Sequence, residues 1–399
     1  MPGALSRVVL GVAGFLILAG SARAAPPPPP SVRARAAIVV ERDLGTTILA
    51  RHADDRLPIA STTKLMTAYV ALHRAPLSRV LTVRPYAATG AETVAGLRVG
   101  ERLSVGDLLK AMLLPSGGDA AHTLAVDLAG STGAFVGWMN AAAVGLHLGA
   151  TRFSTPVGLD TPGNYSSARD LASLTIALMA DPFFARTVAR RRAQLADGLT
   201  VYNRNDLVGA HSFVVGVKTG HTIGAGYCLV GAGRRDGANV VSVVLGDPGV
   251  GSRDADSLAL LRYGLALYHG VRAVHGGRVY ASLPVDGRPG ERVDVVAARD
   301  LRVVLRRGSR LTVYPTGLGD AAHGPLPAGA RLGDVAVKLG GRVVARVPLI
   351  TESAVAAPPA GAIAGRQIVL AGGLIGGVAV LVGCSLQLMV KRRGGRGAR

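Results

Sequence analysis

Residues 57–72 read LPIASTTKLMTAYVAL, and the texture of the chain changes inside them. Before Ser61 the text is extended and turn-rich; after it, apolar residues recur at helical spacing. A spacing of three puts the Ser61 hydroxyl and the Lys64 amine on one face of the helix that begins here, so the pair can touch. Serine is a weak nucleophile until a base takes its proton, and lysine serves when burial or a second cation leaves it neutral. An S-x-x-K alone arises by chance about once in a chain of this size. A capping serine beside a surface lysine explains it equally well.

Upstream, AAIVVERDLGTTILA (36–50) reads as two strands, Ala36–Glu41 and Thr46–Ala50, joined by a turn at Asp43-Leu44-Gly45. Downstream, helical patterns cover about 105–113, 120–128, 134–148 and 168–179. From about His211 strands return as SFVVGVKTG (212–220) and GYCLVGAGRRDGANVVSVVLG (226–246), with a hairpin turn at 234–237. An amphipathic helix, SLALLRYGLALYHG (257–270), follows. One antiparallel sheet made from the first and last strands, with a helical cluster on one side, gives an α+β fold. From Gly276 to about Thr351 short β-like runs alternate with Gly and Pro turns, which predicts a small all-β domain.

The ends read differently. Residues 1–24 have a basic start, an apolar stretch and small residues around Ala24, the pattern of a secretory signal peptide. A Pro-rich linker fills 25–35. After an Ala- and Pro-rich linker at 353–366, residues 368–390 carry no charge and would be about 35 Å long as a helix, enough to cross a bilayer. The tail KRRGGRGAR (391–399) is basic, which places it in the cytoplasm and the rest outside. The expected location is the cell membrane, single-pass, with 36–272 and 276–352 on the extracytoplasmic side.

At 399 residues and 49% apolar, the chain can bury at least one sizeable core. Cys228 and Cys384 fall in a soluble region and in the presumed span, so no disulfide framework is expected. The net charge of +20 favours anionic partners. Nucleic acid does not suit an exported chain with 4% aromatics. Nine histidines show no H-E-x-x-H spacing, so no metal or cofactor is expected. Asp119, Asp170 and Glu101 suggest solvated or capping roles.

Two further stretches carry chemistry. Lys218-Thr219-Gly220 places a cation, a hydroxyl and a residue without a side chain on a strand, which suits an extended peptide ending in a carboxylate. LLPSGGDAAH (113–122) stops an apolar run at proline and presents Ser116 in an exposed setting between two helices. S-x-x-K at 61, a serine motif at 116 and K-T-G at 218 occur in the order of a known signature. In these three motifs, and in LPIASTTKLMTAYVAL, LLPSGGDAA, PVGLDTPGNYSSARDLA (156–172) and VGVKTGHTIGAGYCLV (215–230), the chain resembles the serine D-alanyl-D-alanine carboxypeptidases. These are the low-molecular-weight penicillin-binding proteins. The likeness runs from about residue 36 to 352, ending in a β-rich region that closes with VARVPLI (344–350).

The resemblance implies that 36–272 is a DD-peptidase catalytic domain of the penicillin-binding-protein and serine β-lactamase type. Ser61 would be the acylated nucleophile, Lys64 its base and Ser116 a proton relay to the leaving amine. Lys218, Thr219, Gly220 and Arg253 would hold the substrate, with Arg253 on its terminal carboxylate. The backbone N–H groups of Ser61 and His221 would form the oxyanion hole. The substrate would be a peptidoglycan stem peptide ending in D-Ala-D-Ala, with β-lactams as covalent inhibitors. Where the family commonly has asparagine, this chain has Gly118. Losing that amide's bond removes about 0.5 to 1.5 kcal/mol, and a water is expected to fill the gap.

A transpeptidase would share the first half-reaction. A turnover-deficient wall-binding or β-lactam-sensing module is a further alternative, although a nine-residue tail leaves little room for an intracellular output. A class A β-lactamase would need a glutamate for deacylation, and residues 152–172 contain none.

Overall fold

The structure, a computed structural model, describes residues 16–17, 27–89 and 92–359. The expected signal peptide, apart from residues 16–17, and the apolar segment 368–390 with the tail lie outside the described residues. The chain divides into two compact units, one of Arg23–Val271 with Val304–Arg307, the other of Arg272–Val303 and the residues from Gly308 onward.

The larger unit is built on a five-stranded antiparallel sheet, in the order Thr46–Arg51, Ala36–Glu41, Ala238–Asp247, Gly226–Arg235 and Val214–Thr222. The first hairpin turns where its sequence said, with Gly45 at φ +64° and the buried Glu41 carboxylate accepting the N–H groups of Asp43 and Leu44. The second turns at Asp236-Gly237, both at positive φ, as a tight hairpin between twisted strands requires.

The helical cluster expected on one side of this sheet is present, and the Val250–Leu267 helix covers the other side. Every residue of Ala36–Glu41 is buried, so both faces need a cover. Ala36, Ile38, Val40, Val230, Val241 and Val243 join the cluster containing Leu108, Leu124, Phe135 and Leu171 from the central helices. Ala37, Val39, Leu229, Val240 and Val244 face the other way, against Leu260, Leu261 and Leu265 of the Val250–Leu267 helix. That helix begins seven residues before the expected 257 and so takes Arg253 into its first turns.

The central helices are Lys64–Arg74, Val105–Leu113, Gly118–Ala129, Thr132–Gly145 and Ala168–Leu178. Ser104, Ser131 and Ser167 cap three of them, each accepting a backbone N–H three residues on. A sixth, Pro182–Val188, starts on the Asp181 cap and had no counterpart in the sequence reading. Among the described residues no single helix is long and apolar enough to cross a membrane. The bent pair Ala168–Leu178 and Pro182–Val188 has the composition, but its Leu171, Leu174, Leu178, Phe184 and Val188 are core residues.

In the second unit, Val279–Pro284, Arg292–Ala297, Leu311–Thr316, Arg331–Leu339 and Arg342–Thr351 belong to one antiparallel sheet. Leu301–Arg306 stays out of that sheet and pairs with Tyr268–Val274 instead.

Candidate active site

Ser61 does not open an α-helix directly. It lies in a 3-10 turn, Ala60–Thr63, that runs into the Lys64–Arg74 helix. The turn is tight: Thr62 donates from both its N–H and its hydroxyl to Ile59 O, at 3.1 and 2.6 Å, and Ala60 takes φ +48°. Lys64, buried, brings Nζ to 3.0 Å from Ser61 Oγ and donates to Val157 O at 2.5 Å. The loop carrying Val157 is fastened to the same helix, with Thr67 Oγ1 donating to Pro156 O at 2.7 Å and Asn164 Nδ2 to Thr63 Oγ1 at 3.1 Å. Gly158, at φ +95°, passes so close that a Cβ there would lie 2.1 Å from Ala60 O.

Ser116 sits in the loop between Val105–Leu113 and Gly118–Ala129. It is buried at 4% exposure, not exposed as its flanking glycines suggested. Its φ of +71° is uncommon for serine, and its hydroxyl has no hydrogen-bond partner among the described residues. Gly117 has no room for a side chain, since a Cβ would meet Ala111 O and Asp119 Oδ1 at 2.7 Å. The space above Gly118 is also taken. A Cβ there would lie 2.9 Å from Cε1 of Tyr86, so an aromatic ring occupies the place where a water was expected.

Lys218-Thr219-Gly220 lies on the Val214–Thr222 strand, at the edge of the sheet, where a peptide can add as a further strand. A Cβ on Gly220 would lie 3.1 Å from Ser61 N, Ile59 O and Ala60 Cβ. The glycine therefore lets the strand close on the turn that carries Ser61. Asp160 secures the far end, accepting from Thr222 Oγ1 at 2.6 Å and Gly224 N at 2.9 Å. Lys218 is buried and donates to Thr219 O at 3.0 Å. Next along the strand, the exposed His221 stacks its ring on Tyr227 at 4.0 Å.

These elements surround one cleft of about 640 Å³, lined by Ser61, Lys64, Ser116, Thr219, Gly220, His221 and Arg253 among others. That is an ordinary size for a ligand site. Arg253 is 6% exposed and paired with Asp254 at 2.8 Å, so it is a pocket residue and not a solvated surface charge. Burial lowers Lys64 to about 8, with the charges of Glu92 and Asp119 opposing. Burial also holds Lys218 well below the ordinary lysine range, reinforced by the positive charges of Lys64, Arg204 and Arg253. Four basic groups that raise one another's energy in this way will attract an anion. A carboxylate on an extended peptide fits that requirement.

Sequence reasoning missed several residues. Glu92 and Arg204 line the cleft, and Tyr86 covers Gly118. Asp119 is not solvated; its carboxylate receives the N–H groups of Ala95, Gly96 and Leu97 at 2.8 to 3.1 Å. Asp170 is likewise buried and receives Ala150 N and Thr151 Oγ1, in addition to its capping turn. Glu101 accepts Arg98 N at 3.3 Å, the local role expected of it. None of these is one of the three signature positions, and the partners of the carboxylates are mostly backbone amides that no side-chain pattern announces.

Residues 22–249 match the family profile of peptidase S11, D-alanyl-D-alanine carboxypeptidase. The D-alanyl-D-alanine carboxypeptidase DacA of Escherichia coli K12 is 31% identical over 333 residues, spanning 80% of this chain and 83% of that one. A D-alanyl-D-alanine carboxypeptidase of Streptomyces sp. K15 is 33% identical over 279 residues, 64% of this chain and 96% of its own. Among solved structures, penicillin-binding protein 5 of Haemophilus influenzae superposes with a TM-score of 0.59 at 27% identity, covering 82% of this chain and 99% of that one. The Streptomyces K15 DD-transpeptidase superposes at 0.57 with 32% identity, covering 60% and 100%. With this family match on a site of the same order of motifs, the chain belongs to the peptidase S11 family of serine-type D-alanyl-D-alanine carboxypeptidases.

Proposed function

We propose that this chain removes the terminal D-alanine from peptidoglycan stem peptides through an acyl-enzyme on Ser61. The observation that carries this reading is the 3.0 Å contact between Lys64 Nζ and Ser61 Oγ, made by a lysine that burial lowers to about 8. In the neutral form Lys64 keeps an N–H for Val157 O and offers its lone pair to the Ser61 proton. Ser61 Oγ attacks the penultimate D-alanine carbonyl, whose oxyanion is received by the N–H groups of Ser61 and His221. Ser116, with its unpartnered hydroxyl, passes the proton to the leaving amine. Lys218, Thr219 and Arg253 hold the departing residue's carboxylate, Arg253 by its planar fork. The peptide backbone runs along the Gly220 edge. Water then attacks the ester and frees Ser61.

A β-lactam enters the same chemistry, and its ring-opened ester stays on Ser61. Labelled penicillin should therefore give a covalent adduct whose peptide maps to Ser61. An adduct that survives Ser61→Ala overturns the assignment. D-alanine release from a pentapeptide separates the carboxypeptidase from a binding module without turnover.

A second reading, transfer of the acyl group to an amine, is favoured by the likeness to the Streptomyces K15 DD-transpeptidase. Adding an amine acceptor and analysing products distinguishes transfer from hydrolysis. The uncharged run 368–390 and its basic tail support a tether that keeps the active site outside the membrane. Protease accessibility on spheroplasts tests that orientation, and release of a chain truncated at 366 tests the tether.

A further inference from the structure

One wall of the cleft comes from a segment whose described residues form no helix or strand, between the short strands Val80–Thr82 and Arg102–Ser104. It is nevertheless tied down at several points. Arg84 N donates to Thr123 Oγ1, Gly118 N to Thr93 O at 2.8 Å, Arg204 Nη1 to Thr93 Oγ1 at 2.7 Å, and the N–H groups of 95–97 to Asp119. Two side chains are delivered by this segment. Tyr86 lays its ring over Gly118, and Glu92 lines the cleft with Ser61, Lys64 and Ser116.

The Glu92 carboxylate is braced. Thr89 donates to Oε2 from its N–H at 2.7 Å and from its hydroxyl at 3.0 Å, and the Tyr86 hydroxyl donates to Oε1. Burial, then the bond to Glu92, raises Tyr86 far above its ordinary range, so it stays protonated as a donor. The aromatic ring and the carboxylate thus meet at the position where the third residue of the middle motif has no side chain.

We propose that Glu92, braced by Tyr86 and Thr89, is a positioning residue that puts a fixed negative charge on the cleft wall beside the bare Gly118, where it acts through space on the Lys64 amine. This rests on Ser61 and Lys64 being the reacting pair. An amide would both donate and accept, whereas a carboxylate only accepts and adds a negative charge. That charge acts on Lys64 together with the Asp119 charge, while Lys218, Arg253 and Arg204, the last bonded to Thr93 beside Glu92, supply the positive charges around it. Its removal therefore changes the pH at which Lys64 becomes a base, and loss of packing alone would not.

The test is the rate of acylation of the full chain by a fluorescent penicillin, followed across pH, in the wild type, Glu92→Gln and Glu92→Ala. Both variants should move the acidic limb of the profile downward by about one unit, the size of a single nearby charge in a partly buried site. Glu92→Ala keeps the test open where the glutamine variant fails to fold. A limb unmoved in a folded variant overturns the proposal. Failure of the wild type to be labelled on Ser61 would instead overturn the reading of the function, so the two failures are told apart.

Discussion

Lys64 Nζ stands 3.0 Å from Ser61 Oγ and 2.5 Å from Val157 O, so one amine faces a serine hydroxyl and a backbone carbonyl at once. The carbonyl takes a proton in either charge state, which fixes the amine's direction without fixing its charge. With Lys64 lowered to about 8 by burial, only the fraction above that pH is a base. Acylation by a fluorescent penicillin should rise about tenfold per pH unit below 8 and level off above it. A rate flat between about pH 6 and 9 would count against Lys64 as base. Lys64→Arg, which cannot lose its proton, should acylate at least about a hundredfold more slowly.

Gly158 tests the geometry of the turn. An alanine Cβ would lie 2.1 Å from Ala60 O and 3.0 Å from Ser61 Cα, at a φ of +95° that side chains rarely adopt. Either the loop or the Ser61 turn has to move. A displacement of about an ångström costs roughly a hundredfold in rate, so Gly158→Ala should lose acylation of that order and about 2 kcal/mol of stability. Gly149 has open space where its Cβ would be, and Gly149→Ala serves as the control. Equal melting temperatures and equal labelling in the two variants would sink the argument.

How much of this was readable in advance depended on where each partner lay. The Asp236-Gly237 turn, the K-T-G strand and the serine-lysine pair are local, and local spacing announced them. Val250–Leu267 was cut short because VGSRDAD has no apolar stripe; its Arg253 and Asp256 are buried through ion pairing and backbone bonds. Pro182–Val188 was too short for periodicity to register. The ring above Gly118 comes from 32 residues upstream along an irregular path, so an empty position in a motif did not mean an empty space.

Asp119 holds that irregular path in place. Its carboxylate receives three backbone N–H groups from 95–97 and lies at the start of the Gly118–Ala129 helix, where a negative charge is favoured. Asp119→Asn turns an amide NH2 group toward backbone donors and removes the charge. Hydrogen bonds to a charged group contribute about 1.5 to 3 kcal/mol, so a loss of about 2 kcal/mol is expected. Limited proteolysis should then cut within 83–100 in the variant but not in the wild type. Unchanged melting and no new cleavage would mean that the clasp does not hold the segment.

Asp247 gives the fold a pH dependence opposite to that of a salt-bridged carboxylate. It ends the Ala238–Asp247 strand and is 1% exposed. Burial pushes it up to about 6; a hydrogen bond from Ser252 and the Arg253 charge oppose, and the Asp256 charge adds. A raised value in the folded state means that folding keeps a proton which the unfolded chain has already lost. Below about 4 both states are protonated and nothing is lost. As pH rises from about 4 to 6 only the unfolded state ionises freely, so stability falls through that window, by on the order of 2 kcal/mol in all. Asp247→Asn cannot ionise and should be more stable than the wild type at pH 7, with the difference vanishing near pH 4. It also removes a negative charge near Arg253, leaving that guanidinium freer for a substrate carboxylate, so KM for a peptide should fall at neutral pH. Melting curves of the two proteins at both pH values decide the stability claim, and a pH-independent difference would show that the carboxylate does not titrate as its burial requires.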